Sequence, residues 1–318
     1  MIALTFAEES RYNSQPFEPS RALLSMSQFS TIGIIGRLDS EKAVYSLKRL
    51  IAYLDAQSVD AILEEGTASV LPETKLKTAT KEELGKRCDL VVVVGGDGSV
   101  LWAAGVLARY NVPLLGVNQG RLGFLTDITP DEIESLVGEV ISGKYVEETR
   151  FMLGMKLIRD GKEIGSGEAL NDVVVHPGQF IRMIETELYI DEQYVYTQRS
   201  DGIIVSTPTG STAYGLSAGG PLVHPRMNAI VVVPMNPHTL SSRTIVIDGS
   251  SEIKIIIGEH NTALPHVTCD GHNHVVTEVG DEIHIHKHPW HLNLIHPVNH
   301  DFYETCRSKL GWQTQIVK

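Results

Sequence analysis

The sequence predicts an α/β domain built on a parallel sheet, then a β-rich, mostly antiparallel domain whose C-terminal segment returns to the first. Three observations carry this. Between residues 31 and 141 strand and helix signals alternate, the rhythm of an α/β layer fold. Within that stretch Asp89-Leu90-Val91-Val92-Val93-Val94 is a continuous apolar run, the pattern of a strand covered on both faces and hence of a parallel sheet. From Arg150 onward, short strand patterns follow one another through tight turns.

Taken in order, residues 1–28 are polar, contain Ser and Pro, and read as a poorly ordered arm. Residues 31–36 are a short buried-strand pattern. Residues 40–57 read as a helix, with Val44, Leu47, Leu50, Ile51 and Leu54 on one face. Residues 59–63 suit a second strand. Thr80 with Glu83 makes a capping box that opens a short helix ending near Cys88. A helix over 99–110, a strand over 113–117 and a helix over 131–141 complete the first half. Its Trp102 reads as a core residue.

In the second half, 152–158 and 173–175 flank a turn at Asp160-Gly161, and 186–190 and 194–197 flank Asp191-Glu192. Strand patterns continue at 203–206, 230–233, 244–247, 253–257 and 283–285, and 302–310 is helical. The 318 residues exceed what one core organises, about 250–300. The expected division is 29–126 with 297–318 as the α/β domain and 127–296 as the β-rich domain.

A net charge of −12 repels phosphodiester backbones and argues against a nucleic-acid partner. No apolar run approaches the roughly 18 residues of a membrane span. The first nine residues lack the basic and apolar regions of a secretory signal. Cys88, Cys269 and Cys306 are an odd, sparse set without C-x-x-C spacing, and read as packing residues in a reducing compartment. The expected location is the cytoplasm.

The strongest local feature is Gly95-Gly96-Asp97-Gly98-Ser99, placed directly after the buried strand. Ligands of open parallel sheets bind beyond the carboxyl ends of the strands. Glycines there let the backbone approach phosphate oxygens, toward which the following helix turns its N–H groups. Asp97 is the one carboxylate in the loop, placed to hold a metal or take a proton from a hydroxyl. No Walker loop and no well-placed G-x-G-x-x-G occurs. A second segment, residues 201–221, is dense in small and hydroxyl residues, with Tyr214 available to stack on a base. Pro208 and Gly210 interrupt it, so it cannot be one strand, and a helix starts near Ser211 or Thr212. Asn171-Asp172 opens an apolar strand and suits hydrogen bonds to a ribose and a base edge, or a plain loop pair. His284, His286 and His288 alternate on one strand face. Such spacing can chelate zinc, although a solvated face is the commoner use.

Together these segments resemble the NAD kinase family, within the wider group of kinases that share a Gly-Gly-Asp-Gly loop. The resemblance runs from Ile32 to Trp312. It is carried by the Asp97 loop, Leu122-Gly123-Phe124-Leu125, Leu170-Asn171-Asp172 with His176-Pro177-Gly178, and the Thr207-to-Tyr214 string. Pro234, Pro237 and His238, then Cys269-Asp270, then residues 291–297 complete it. It implies transfer of the ATP γ-phosphate to the adenosine 2′-hydroxyl of NAD, with Asp97 as general base and Mg²⁺ the expected divalent metal. By resemblance Gly95, Gly96, Gly98 and Ser99 line the ATP phosphates. Asp97, Gly98, Asn171, Asp172, Arg182, Arg199, Asp201, Thr212, Ala213, Tyr214, Gly215, Leu216, Ser217 and His272 contact NAD. Asp172 stands where the family usually carries glutamate. A homodimer or homotetramer is implied. The alternatives are a sugar or lipid kinase using the same loop, and a non-catalytic NAD(P) sensor.

Overall fold

A computed structural model describes residues 29–36, 41–120, 122–178, 182–262 and 264–312, so the expected arm over 1–28 lies outside the described residues. The first half runs β1 (Thr31–Gly36), α1 (Glu41–Ala56), β2 (Asp60–Glu64), α2 (Glu65–Ala68), β3 (Lys77–Ala79), α3 (Lys81–Arg87), β4 (Leu90–Val94), α4 (Asp97–Leu107) and β5 (Leu114–Val117). The strands pair in parallel in the order β3-β2-β1-β4-β5. Strand β4 explains why. Its side chains alternate, so Val92 and Val94 join a core with Leu47, Leu50 and Leu54 of α1, while Val91 and Val93 join another with Val100, Ala104 and Leu107 of α4. Helix α3 starts at the expected capping box: Glu83 N–H donates to Thr80 Oγ1 at 3.2 Å, and Thr80 N–H to Glu83 Oε2 at 3.0 Å.

Helix α2 and strand β3 are not among the expected elements, and the 131–141 segment and Trp102 differ from expectation. The helix over 131–141 is a composite of a 3-10 turn (Pro130–Glu132), a wide π turn (Ile133–Val137) and α5 (Gly138–Ile141). This winding buries Ile133, Val137 and Val140 together. Trp102 is 45% exposed rather than core, with the Lys81 ammonium 3.0 Å from its ring centre. It sits on the outer face of α4, where a cation–π contact replaces burial.

The second half contains β6 (Tyr145–Arg159), β7 (Lys162–Ala169), β8 (Asp172–His176), β9 (Ile184–Ile190), β10 (Gln193–Ser200), β11 (Gly202–Ser206), α6 (Tyr214–Ser217), β12 (Ala229–Met235), β13 (Ile245–Asp248), β14 (Ile253–Ile257), β15 (His266–Cys269), β16 (His272–Val276), β17 (Glu282–Pro297) and α7 (Phe302–Leu310). Both expected turns hold left-handed residues, Asp160 and Gly161, then Asp191 and Glu192, as a tight hairpin requires, but the first joins β6 to β7 rather than to the expected 173–175, which lies in β8 of the other sheet. A six-stranded antiparallel sheet, β13-β12-β11-β8-β15-β16, packs its apolar face on β6, β9, β14 and β17.

Strand β17 joins the halves. Its first part pairs antiparallel with β14 and its last part parallel with β5, while β6 runs antiparallel along both parts, with an irregularity between Lys287 and His291. Helix α7, capped by Asp301 Oδ1 on Tyr303 N–H at 2.8 Å, then brings Phe302 to 6.3 Å from Phe124, ring centre to ring centre. No helix among the described residues is long and apolar enough to cross a membrane.

Candidate active site

The chain leaves β4 through Gly95, whose N–H donates to Val117 O at 2.8 Å, and Gly96 precedes α4, so Asp97 is the first helical residue. Its carboxylate is held from the facing loop. Phe124 N–H donates to Oδ2 at 2.9 Å, Leu125 N–H to Oδ1 at 3.0 Å and the Thr126 hydroxyl to Oδ1 at 3.1 Å. Thr126 is itself oriented, because Asn118 Nδ2 donates to its oxygen at 2.7 Å. The approach demands glycine at 123, where a Cβ would lie 2.0 Å from Asp97 Oδ1.

Asp97 opens on a cavity of about 290 Å³, whose walls include Arg150, Asn171, Thr209, Thr212 and Phe302. A larger one of about 550 Å³ is lined by Asp172, His176, Asp201, Tyr214 and Asp270 among others. Asn171 and Ala213 line both, so the two adjoin beneath one turn. Their combined size suits a dinucleotide half beside a phosphate chain.

Asp270, in left-handed conformation, fixes the shared turn. Leu170 and Asn171 N–H groups donate to its carboxylate at 2.8 Å each and that of Asp172 at 3.1 Å. Burial raises the pKa of both acids. Three amides oppose it at Asp270, whereas Asp172, buried and beside Asp270, is pushed up to about 7. The same three amides favour the charge on Asp270 over Asp172. On the other side of the turn, Thr207 donates its hydroxyl to Leu170 O at 2.6 Å and its N–H to Asn171 O at 2.9 Å. A Cβ at Gly210 would meet Asn171 O at 2.1 Å, so the glycine lets the two segments touch.

Of the residues expected at the site, Asp97, Asn171, Asp172, Asp201, Thr212, Ala213 and Tyr214 line one or both cavities. Gly95, Gly96, Gly98 and Ser99 form the turn around Asp97 without lining either, and Gly215, Leu216 and Ser217 sit behind Tyr214 on α6. Arg182, bonded to Thr262 at 3.0 Å, Arg199 on β10 and His272 on β16 are exposed and line neither. Within 201–221 the hydroxyls have two uses, and those of Thr209 and Thr212 belong to residues lining the small cavity. Those of Ser206, Thr207 and Ser211 are buried and bonded to backbone carbonyls, because an irregular buried segment needs partners for its main chain. The helix expected from Ser211 or Thr212 is a 3-10 turn (Gly210–Thr212) followed by the single turn of α6.

His284, His286 and His288 form no three-ligand cluster among the described residues, and His284 pairs instead with Glu282 at 2.8 Å. The cluster that does form is Asp127, His296 and His300. The three cysteines are buried and free, and burial pushes the Cys88 and Cys269 thiols up to about 11 and about 12. Arg150, Thr209 and His176 line the cavities without having been singled out as site residues. Arg150 had a legible signal. Glu148, Arg150 and Met152 share one strand face, and charges in phase with a core methionine mark a buried polar function.

A carboxylate on a glycine turn beyond a parallel strand, facing a small cavity that adjoins a larger one, is the arrangement of a nucleotide-dependent phosphotransferase. The chain belongs to the NAD kinase family: residues 32–145 match the ATP-NAD kinase N-terminal domain and residues 170–297 the ATP-NAD kinase C-terminal domain. It is 61% identical to the NAD kinase of Saccharophagus degradans over 287 residues, which cover 90% of this chain and 98% of that one. It is 60% identical to that of Hahella chejuensis over 289 residues, 91% and 98% of the two chains. Among solved structures it is similar to yeast NADH kinase complexed with NADH, with a TM-score of 0.84 at 26% identity over 92% of this chain and 91% of that one. An NAD kinase from Archaeoglobus fulgidus in complex with ATP gives 0.66 at 26% identity, over 83% and 92%.

Proposed function

We propose that this chain transfers the γ-phosphate of ATP to the 2′-hydroxyl of the adenosine ribose of NAD, with Asp97 as general base. The observation that carries the reading is the way Asp97 is held. A carboxylate has about four acceptor positions. Two on Oδ1 and one on Oδ2 are taken by Leu125, Thr126 and Phe124, which leaves one on Oδ2 for a substrate hydroxyl. The adjoining larger cavity, with Asn171, Asp172 and Tyr214, takes the adenosine half of NAD. In the step, Asp97 accepts the 2′-hydroxyl proton, the ribose oxygen bonds to the γ-phosphorus, and the bond from that phosphorus to the bridging oxygen breaks to release ADP.

The triphosphate meets the turn at 95–99. A Cβ at Gly96 or Gly98 would find no protein atom within 4 Å, so the protein's own packing does not require glycine there and the space is left to ligand. A divalent cation such as Mg²⁺ fits as a companion of ATP. The small cavity offers the Asp97 carboxylate, the Asn171 amide and the Thr209 and Thr212 hydroxyls, an oxygen-donor set too sparse for an all-protein cage. Asn171 and the threonines would hold it jointly with the phosphates, where it would offset phosphate charge, and the one open acceptor of Asp97 stays with the sugar hydroxyl. The three free, buried cysteines support a reducing, cytoplasmic setting. Assembly as a homodimer or homotetramer belongs to the same reading.

The test is incubation of purified protein with NAD, ATP and Mg²⁺, with NADP detected by a strictly NADP-dependent dehydrogenase. ATP-dependent accumulation of NADP is expected. NAD binding without product would favour the sensor reading, and phosphorylation of a sugar or lipid instead would favour the other kinases of this loop class.

A further inference from the structure

The small cavity holds a cation that the reading above leaves unused. Arg150, on β6, is 3% exposed and is the only lysine or arginine lining that cavity among the described residues. Its Nη2 donates to Glu148 Oε2 at 2.7 Å and its Nη1 to Thr209 Oγ1 at 3.3 Å, while its Nε is buried without a partner. A buried guanidinium with an N–H to spare is poorly satisfied by the protein alone.

What holds it in place is a chain of buried charges. The second partner of Glu148 Oε2 is His296 Nε2, 3.5 Å away, and His296 is 1% exposed. His296 Nδ1 meets Asp127, which also faces His300 Nδ1 at 3.2 Å. Burial works against a charged imidazole, but the Asp127 and Glu148 carboxylates on either side of the ring shift the His296 pKa upward. The exposed Arg226, whose Nε is 3.6 Å from Glu148 Oε1, adds only a peripheral charge. Glu148 is thus held between His296 and Arg150, which fixes one edge of the Arg150 fork.

We propose that Arg150 contacts the transferring phosphoryl group, and so the 2′-phosphate of the NADP product, with Glu148, His296 and Asp127 as positioning residues. Arg150 and Asp97 wall the same cavity, so a phosphorus bonding to the oxygen that Asp97 deprotonates lies within that space. A planar guanidinium matches phosphate oxygens through paired N–H groups, and Arg150 neither gives up nor takes a proton in the step. The inference rests on the phosphate transfer proposed above.

The product carries a group that the substrate lacks, and this supplies the test. Dissociation constants for NAD and for NADP are measured separately by calorimetry on Arg150→Met and Arg150→Lys, alongside kcat and KM. For Arg150→Met the expected result is NADP affinity weaker by at least about tenfold, NAD affinity within about twofold, and kcat lower by about 10²–10³-fold with KM for NAD little changed. Arg150→Lys recovers part of kcat. If Arg150→Met does not fold because Glu148 is left unpaired, Glu148→Leu combined with Arg150→Met removes both charges, and the same NADP-selective loss is expected. Equal weakening of NAD and NADP, or unchanged NADP affinity, overturns the proposal. Failure of the unaltered protein to form NADP would sink the reading beneath it instead.

Discussion

At the residue scale, the proposed phosphate transfer depends on where one carboxylate is held. Gly123 and Thr126 are as important to that as Asp97, yet only the aspartate announces itself by chemistry. A methyl at position 123 must displace the carboxylate, since the ideal Cβ falls 2.0 Å from Oδ1. Gly123→Ala is therefore expected to lower kcat about 10²-fold, because small misplacements of a reacting group are costly, while the Kd for NAD changes little. Steady-state kinetics with parallel binding titrations check it. The placement of Asp97 was legible because a glycine-rich turn after a run of valines has few other uses. The identity of its clamp was not legible. Phe124 and Leu125 act through main-chain N–H groups that every residue but proline possesses, and no side chain signals that use.

At the scale of elements, the hydroxyl-rich stretch around Thr207 divides its hydroxyls between two uses. In the fold, those of Ser206, Thr207 and Ser211 secure an irregular buried main chain, and the cavity walls are formed by Thr209, Thr212, Ala213 and Tyr214. Thr207 donates to Leu170 O and accepts from Gly210 N–H at 3.1 Å. Thr207→Val keeps the shape and strands both groups, so a loss of about 1–3 kcal/mol in denaturant unfolding is expected, with a raised KM for NAD as the Asn171 turn loosens. An unchanged midpoint would mean that the hydroxyl is not structural. The expected strands, both turns and the Thr80 cap are present because each rests on local rules, whereas β3, β7, β15 and β16 carry too few apolar residues to stand out as strands. The 131–141 segment was misread because apolar spacing of four then three fits either an α-helix or the observed wider winding.

At the scale of the whole molecule, the continuous sheet is the feature least visible in advance. A strand that is antiparallel to one neighbour and parallel to another along its length has no one-dimensional signature, and β17 is such a strand. Through it the Asp97 turn of one half and the Asn171 turn of the other share a rigid frame.

The same frame buries two acids together, with a consequence for pH. Asp172 is raised to about 7 and Asp270 is raised as well, so the folded state binds more protons than the unfolded chain, whose carboxyls titrate near 4. Their contribution to stability is complete below that value and is lost as pH climbs through about 7. Thermal unfolding of ligand-free protein between about pH 5 and pH 8 is expected to show a smaller fall in stability for Asp172→Asn than for the unaltered chain. A single carboxyl with this shift contributes at most about 4 kcal/mol. Identical slopes would show that Asp172 does not carry the proton.

The most direct test of the central claim is the rate of NADP formation by Asp97→Asn at saturating ATP and NAD, with NAD affinity measured on the same preparation. Asparagine keeps the shape but cannot accept the sugar proton, so a fall of about 10²–10⁴-fold with near-normal NAD binding is predicted. Turnover close to that of the unaltered protein would contradict the account and leave Asp97 a structural anchor for the 124–126 loop.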